Sequence, residues 1–196
     1  MTVEEILQKI KNEGIEVVIF DFDNTICDLV IDWDKWDHAI GEVLRKYDSS
    51  YSNHLEGKPV NNDQNDFIEK YGKPINEELK IAIQNAELSY STGCSPLDRI
   101  VELIKQLDNV ELWIWSSNGE ETVRKYLKEL QIEYKFTQFI TRTNVDFIKP
   151  SNDGFEKYKK ANLQTADYLM IGNSANDRKA AKNAGIEYMD VIEIQD

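Results

Sequence analysis

The sequence is poor in cysteine, in basic residues and in long apolar runs, and each shortage excludes something. Two cysteines, Cys27 and Cys94, cannot build a disulfide framework, and neither has a Cys or His neighbour at zinc-ligand spacing. They read as thiols of a reducing, cytoplasmic setting. Basic residues number 23 against 36 acidic ones, a formal net charge of −13 over 196 residues. Such a field repels polyanions, so no nucleic-acid partner is expected. The longest aliphatic or aromatic runs, such as Val17-Val18-Ile19-Phe20 and Leu112-Trp113-Ile114-Trp115, are strand-sized, and the opening Met1-Thr2-Val3-Glu4-Glu5 lacks the basic and apolar regions of a signal peptide. No membrane partner is expected either. With 41% hydrophobic residues, the chain has material for a core, and its length suits one domain or one domain carrying a sizeable insertion.

Periodicity gives the organisation. Val3, Ile6, Leu7 and Ile10 follow helical spacing up to Gly14, and Glu16 to Phe20 is apolar and β-branched, so a helix precedes a buried strand. The alternation returns after residue 94. Ser95-Pro96-Leu97-Asp98 reads as a helix start, with Ser as N-cap and Pro at the first helical position, followed by Ile100, Leu103, Ile104 and Leu107. Val110 to Trp115 reads as a strand, Val123, Leu127 and Leu130 as a helix, and Phe136 to Ile140 as a strand. Phe155 to Ala161 then reads as a helix, Tyr168 to Ile171 as a strand, and Ala175 to Ala184 as a helix stopped by Gly185. Repeated βα units of this kind predict an α/β fold, a Rossmann-like parallel sheet between two helical layers.

Between residues 28 and 93 the strand signal gives way to helical patterns, Trp36, Ile40, Val43, Leu44 and Tyr47, then Leu79, Ala82, Ile83, Ala86 and Tyr90. About a dozen residues suffice for a crossover between parallel strands. We therefore read 28–93 as a helical insertion placed after the first strand, in a core formed by 1–27 and 94–196; helices that simply cover one face of the sheet are the other reading. Tyr51 to Gln64, with Gly57, Pro59 and several Asn, reads as a loop within it. His38 is expected to be a partly buried helix residue, and Trp33 and Trp36 to be core of the insertion or an edge of the site.

The chemistry concentrates in Val17-Val18-Ile19-Phe20-Asp21-Phe22-Asp23-Asn24-Thr25, where a buried strand runs straight into two carboxylates one residue apart. Ligand sites of open α/β sheets lie beyond the carboxyl ends of the strands. One carboxylate can attack while the other manages a proton, although Asp and Asn also end strands simply to cap turns.

Asp21-Phe22-Asp23-Asn24-Thr25 after four apolar residues resembles the first motif of the haloacid dehalogenase (HAD) superfamily. Its other motifs appear in order. Ser116 follows the strand Leu112–Trp115, Lys149-Pro150 precedes a helix, and Gly172-Asn173-Ser174-Ala175-Asn176-Asp177 follows the strand Tyr168–Ile171. The resemblance implies a phosphomonoesterase in which Asp21 is the nucleophile that forms an aspartyl-phosphate and Asp23 is the general acid and base. It implies that Ser116, Ser117 and Asn118 hold the phosphoryl group and that Lys149 neutralises charge. It also implies Mg²⁺, bound through Asp21, the backbone carbonyl of Asp23 and the fourth motif. That motif departs from the family pattern: Asn173 stands where an Asp is usual, which predicts a weaker metal site, with Asp177 left as an outer acid or an anchor for Lys149. A haloacid dehalogenase or a phosphomutase with the same nucleophile, and a non-catalytic metabolite-binding protein of this fold, stay open. Asp23 favours phosphoryl transfer, because a halide leaving group needs no proton.

In this superfamily an insertion after the first motif is a C1-type cap over the site. Here that implies hinges near Cys27-Asp28 and Thr92-Gly93-Cys94, substrate-facing candidates Arg45, His54 and Lys58, and a small phosphorylated metabolite as substrate.

Overall fold

The computed structural model describes residues 1–52 and 60–194, without the side chains of 61 and 62. His54 and Lys58, Gly57 and Pro59 lie outside them. Helix α1 (Val3–Glu13) begins at a capping box, Thr2 with Glu5, and ends on Gly14 in the left-handed conformation. Its apolar stripe then delivers the chain into β1 (Val17–Phe20), buried on both faces.

Five strands form a parallel sheet in the order β5-β4-β1-β6-β7: β4 (Glu111–Trp115), β5 (Phe136–Ile140), β6 (Tyr168–Gly172) and β7 (Glu187–Asp190). Side chains alternate between two cores because strand side chains alternate in direction. Val18, Phe20, Leu112, Ile114, Leu169 and Ile171 pack with α1, α5 (Asp98–Gln106) and α6 (Glu120–Glu129). Val17, Ile19, Trp113, Trp115, Tyr168 and Met170 pack with α7 (Asp153–Tyr158) and α8 (Ala175–Ala184). Both tryptophans of β4 are 2% exposed. The result is the three-layer α/β fold expected from the βα alternation, with β1 at the centre and the strand order reversing around it.

Between β1 and β4 the chain departs from the expected pattern. Cys27–Ile31 (β2) and Ser91–Pro96 (β3) form a separate antiparallel pair, Cys27 opposite Pro96 and Leu29 opposite Cys94. Neither segment has a clean apolar alternation, which hid the strands. Ser95 and Pro96 therefore lie in a strand, and α5 starts two residues later than its Ser-Pro signal indicated, at Asp98 after Leu97. Cys27 and Cys94, read as two thiols, are joined in a disulfide across this pair. A sequence count cannot see that the ladder brings them to a Cα separation of 5.8 Å. The positions expected to be hinges thus lie inside a hydrogen-bonded, covalently bridged ladder.

Between β2 and β3, α2 (Trp33–Tyr47), α3 (Gln64–Tyr71) and α4 (Lys73–Tyr90) gather a third apolar cluster around Trp36, Ile40, Leu44, Ile75, Leu79 and Ile83. The stretch read as a loop to Gln64 ends instead in a 3-10 turn at Val60–Asp63, and Gln64 opens α3. His38 is exposed on α2, 3.7 Å from Glu42, not partly buried. The helix expected over 155–161 spans Asp153–Tyr158. Among the described residues, no helix is long and apolar enough to cross a membrane.

Candidate active site at the carboxyl edge of the sheet

The site forms where β1, β4 and β6 end side by side. Asp21 continues the ladder, its N–H donating to Ile171 O at 2.9 Å, so its side chain is fixed and buried. The chain then turns tightly: Phe22 O accepts from the N–H groups of Thr25, Ile26 and Cys27, and Asn24 takes a positive φ of 58°, a conformation Asn tolerates. This turn places Asp23 beside Asp21, where its Oδ1 accepts from Leu29 N at 2.9 Å. Ser116, just past β4, donates its N–H to Ile140 O; its hydroxyl donates to Asn118 Oδ1 and accepts from Asn118 N.

Lys149 is the charge hub. Its Nζ lies 2.6 Å from Asp21 Oδ1 and also donates to Asp177 Oδ1, all three groups being buried. The other oxygen of Asp177 accepts from Ser174 N, Ser174 Oγ and Asn173 N, so one carboxylate caps α8 and anchors the lysine. Gly172 is required beside it, because a Cβ there would lie 2.8 Å from Asp177 Cβ.

A cavity of about 230 Å³ is lined by Asp21, Asp23, Ser117, Asn118, Lys149, Asn173 and Asp177. Four distant stretches of sequence thus meet in one space. Ser116 sits behind Asn118 and acts on the cavity through it. Arg45 does not reach the site; it pairs with Glu42 on α2.

Burial is the main electrostatic cause here. It pushes the carboxyl of Asp21 up to about 7, aided by the charge of Asp177 and opposed by Lys149. It pushes Asp23 up to about 6, against the Leu29 N–H. Asp177 is also penalised by burial, but the Lys149 ammonium and Ser174 outweigh this and hold it below the usual range. One ammonium cannot neutralise two carboxylates, and the surplus falls on Asp21.

The donor set fits a hard cation. Thr25 Oγ1 lies 3.2 Å from both Asp21 Oδ2 and Asn173 Oδ1. A hydroxyl has one proton, so one of these two oxygens keeps a lone pair on this side, and both residues line the cavity. Among the described residues no three acidic, His or Cys side chains cluster in metal-binding geometry. A cation here would draw on Asp21, Asn173 and the backbone carbonyl of Asp23, oxygen ligands of the kind magnesium takes.

The roof of the cavity comes from the helical insertion: Trp33 and Trp36 from the first turn of α2 and Glu87 from α4. Glu87 is fully buried, accepts from Asn118 Nδ2 and Gly119 N at 2.9 Å each, and is pushed up to about 7 by burial. Sequence reasoning passed over it, although a signal exists: Glu87 follows Ile83 by four residues and so continues the apolar stripe of α4. Thr25, quoted only as part of the first motif, is the other residue whose role needed the structure.

An α/β fold with a carboxylate-lined site at the carboxyl edge of its sheet is the class these observations define. The chain belongs to the haloacid dehalogenase-like hydrolase family, which it matches over residues 18–191. No curated protein matches it. Among solved structures it is similar to CbbY from Rhodobacter sphaeroides in complex with phosphate, at 16% identity and TM-score 0.57, covering 90% of this chain and 85% of that one. It is similar to a predicted phosphoglycolate phosphatase from Haemophilus somnus, at 16% identity and TM-score 0.56, over 89% of this chain and 84% of that one. YfnB from Bacillus subtilis, bound to magnesium, aligns at 18% identity and TM-score 0.52, over 89% and 85%. At these identities the likeness is one of fold.

Proposed function

We propose that the protein is a magnesium-dependent phosphomonoester hydrolase acting on a small phosphorylated metabolite. The observation that carries this reading is the pairing of Asp21 and Asp23 in one cavity, with the Lys149 ammonium 2.6 Å from Asp21. In this reading Asp21 attacks phosphorus and takes the phosphoryl group as an aspartyl-phosphate. Asp23 protonates the departing alkoxide and then removes a proton from the water that releases phosphate. Lys149 and the Ser117 N–H stabilise the transferring oxygens, while the Ser116 hydroxyl holds Asn118 in place behind them. Magnesium, held by Asp21, the Asp23 carbonyl and Asn173, would offset the charge that phosphate adds to an acidic site. The insertion acts as a cap that keeps water out, with Asn65 tying α3 to the backbone of Ile148 just before Lys149. Of the similar structures, one is in complex with phosphate, one is bound to magnesium and one is a predicted phosphoglycolate phosphatase, which supports the same direction.

Hydrolysis of p-nitrophenyl phosphate with and without Mg²⁺ tests this. Wild type should turn over only with metal, and Asp21→Asn should lose about a thousandfold or more. Activity that survives Asp21→Asn would remove the mechanism, and halide release from haloacids without phosphatase activity would replace it with dehalogenation.

A further inference from the structure

The roof of the cavity has a composition that the phosphoryl chemistry does not use. Trp33 and Trp36 meet edge to face, ring centroids 5.8 Å apart and planes at 71°, forming an aromatic corner on the wall of the cavity. Trp33 is 39% exposed, unusual for so large a ring beside a core. Trp36 is 2% exposed, and its Nε1–H is buried without a hydrogen-bond partner. Beside the corner stand the carboxyl groups of Glu87 and Asp23, which also line the cavity. Among the described lining residues Lys149 is the one cation, and Asp21 and Asp177 already engage it.

An aromatic face beside carboxylates attracts a cation, Trp being the ring that does so best. A second acid on the substrate would find no free cation on this wall and would crowd the buried Glu87 carboxyl, where a further desolvated negative charge is disfavoured. We propose that this roof selects phosphate monoesters of amino alcohols, with the ammonium against Trp33 and toward Glu87. The proposal rests on the phosphomonoesterase reading and names the substrate class of that site.

Three esters of nearly equal size separate the possibilities: beyond the shared phosphate, O-phosphoethanolamine carries a cation, propyl phosphate an uncharged alkyl tail, and phosphoglycolate a second acid. Binding to Asp21→Asn protein, measured by titration calorimetry with Mg²⁺ present, should follow that order, with O-phosphoethanolamine about tenfold tighter than phosphoglycolate. The same order should hold for wild type when the three compete with p-nitrophenyl phosphate, which covers the case of a poorly folded variant. Trp33→Leu, which keeps apolar volume, should erase the preference for O-phosphoethanolamine over propyl phosphate. Phosphoglycolate binding as tightly as the amine or tighter would overturn the proposal. Binding of none of the three would overturn it as well. Neither result touches the phosphatase reading, which stands or falls on p-nitrophenyl phosphate turnover.

Discussion

Thr25 places one hydroxyl proton between two oxygens, Asp21 Oδ2 and Asn173 Oδ1. Asn173 supplies a neutral carbonyl where an acid would supply a full charge, so its attraction for a divalent cation is the weaker. In a titration with MgCl2 read by thermal unfolding, Asn173→Asp should reach its full rise in Tm at a several-fold lower metal concentration than wild type, because a ligand that binds only the folded chain stabilises it. An unchanged midpoint would remove Asn173 from the ligand set. At this scale the sequence was most legible where a side chain follows a strand directly: backbone ladders place Asp21 and Ser116, Asn173 comes just after one, and a ladder leaves little choice. Arg45 was not legible, because a long side chain on a helix can face any direction and this one turns to Glu42.

Helix α4 joins the insertion to the core through groups that titrate and groups that cannot. The carboxyl of Glu87 binds its proton more tightly in the folded chain than the usual 4.5, being pushed up to about 7 by burial. Its contribution to stability is therefore complete below about 4.5 and is lost as the pH rises through about 7. Thermal unfolding of wild type should weaken across that window, and Glu87→Gln should flatten the slope; a profile unaltered by the substitution would mean that Glu87 is ionised throughout. Farther along the interface, Arg142 is fully buried, with Nη2 donating to Asn76 Oδ1 at 2.9 Å and Nε to Gln64 Oε1 at 3.2 Å. Asn76→Ala strips the acceptor from Nη2 and should lower the free energy of urea unfolding by about 1–3 kcal/mol. Long elements such as α2 and α4 were visible from their apolar spacing. The β2–β3 pair was not, because its stability lies in the pairing of segments more than 60 residues apart and only part of one face is buried.

At the scale of the molecule, the net charge of −13 and the proposed phosphate chemistry are compatible only if attraction is local, supplied by Lys149, backbone N–H groups and the metal. The α/β class was readable because five short apolar strands separated by helical stripes admit few arrangements. The bridge between Cys27 and Cys94 also alters how the polymer is connected. With the two sulfurs joined, the stretch between them becomes a closed loop, and the residues on either side form a second, continuous covalent path that bypasses it. A single protease cut within 28–93 should then leave one species on non-reducing electrophoresis and two fragments once the sulfurs are reduced; separation without reductant would show that the bridge is open. The two parts of the candidate site, Asp21 on one side and Ser116, Lys149 and Asp177 on the other, are thereby tethered by a path of two side chains, so the loop can be severed without setting those parts adrift.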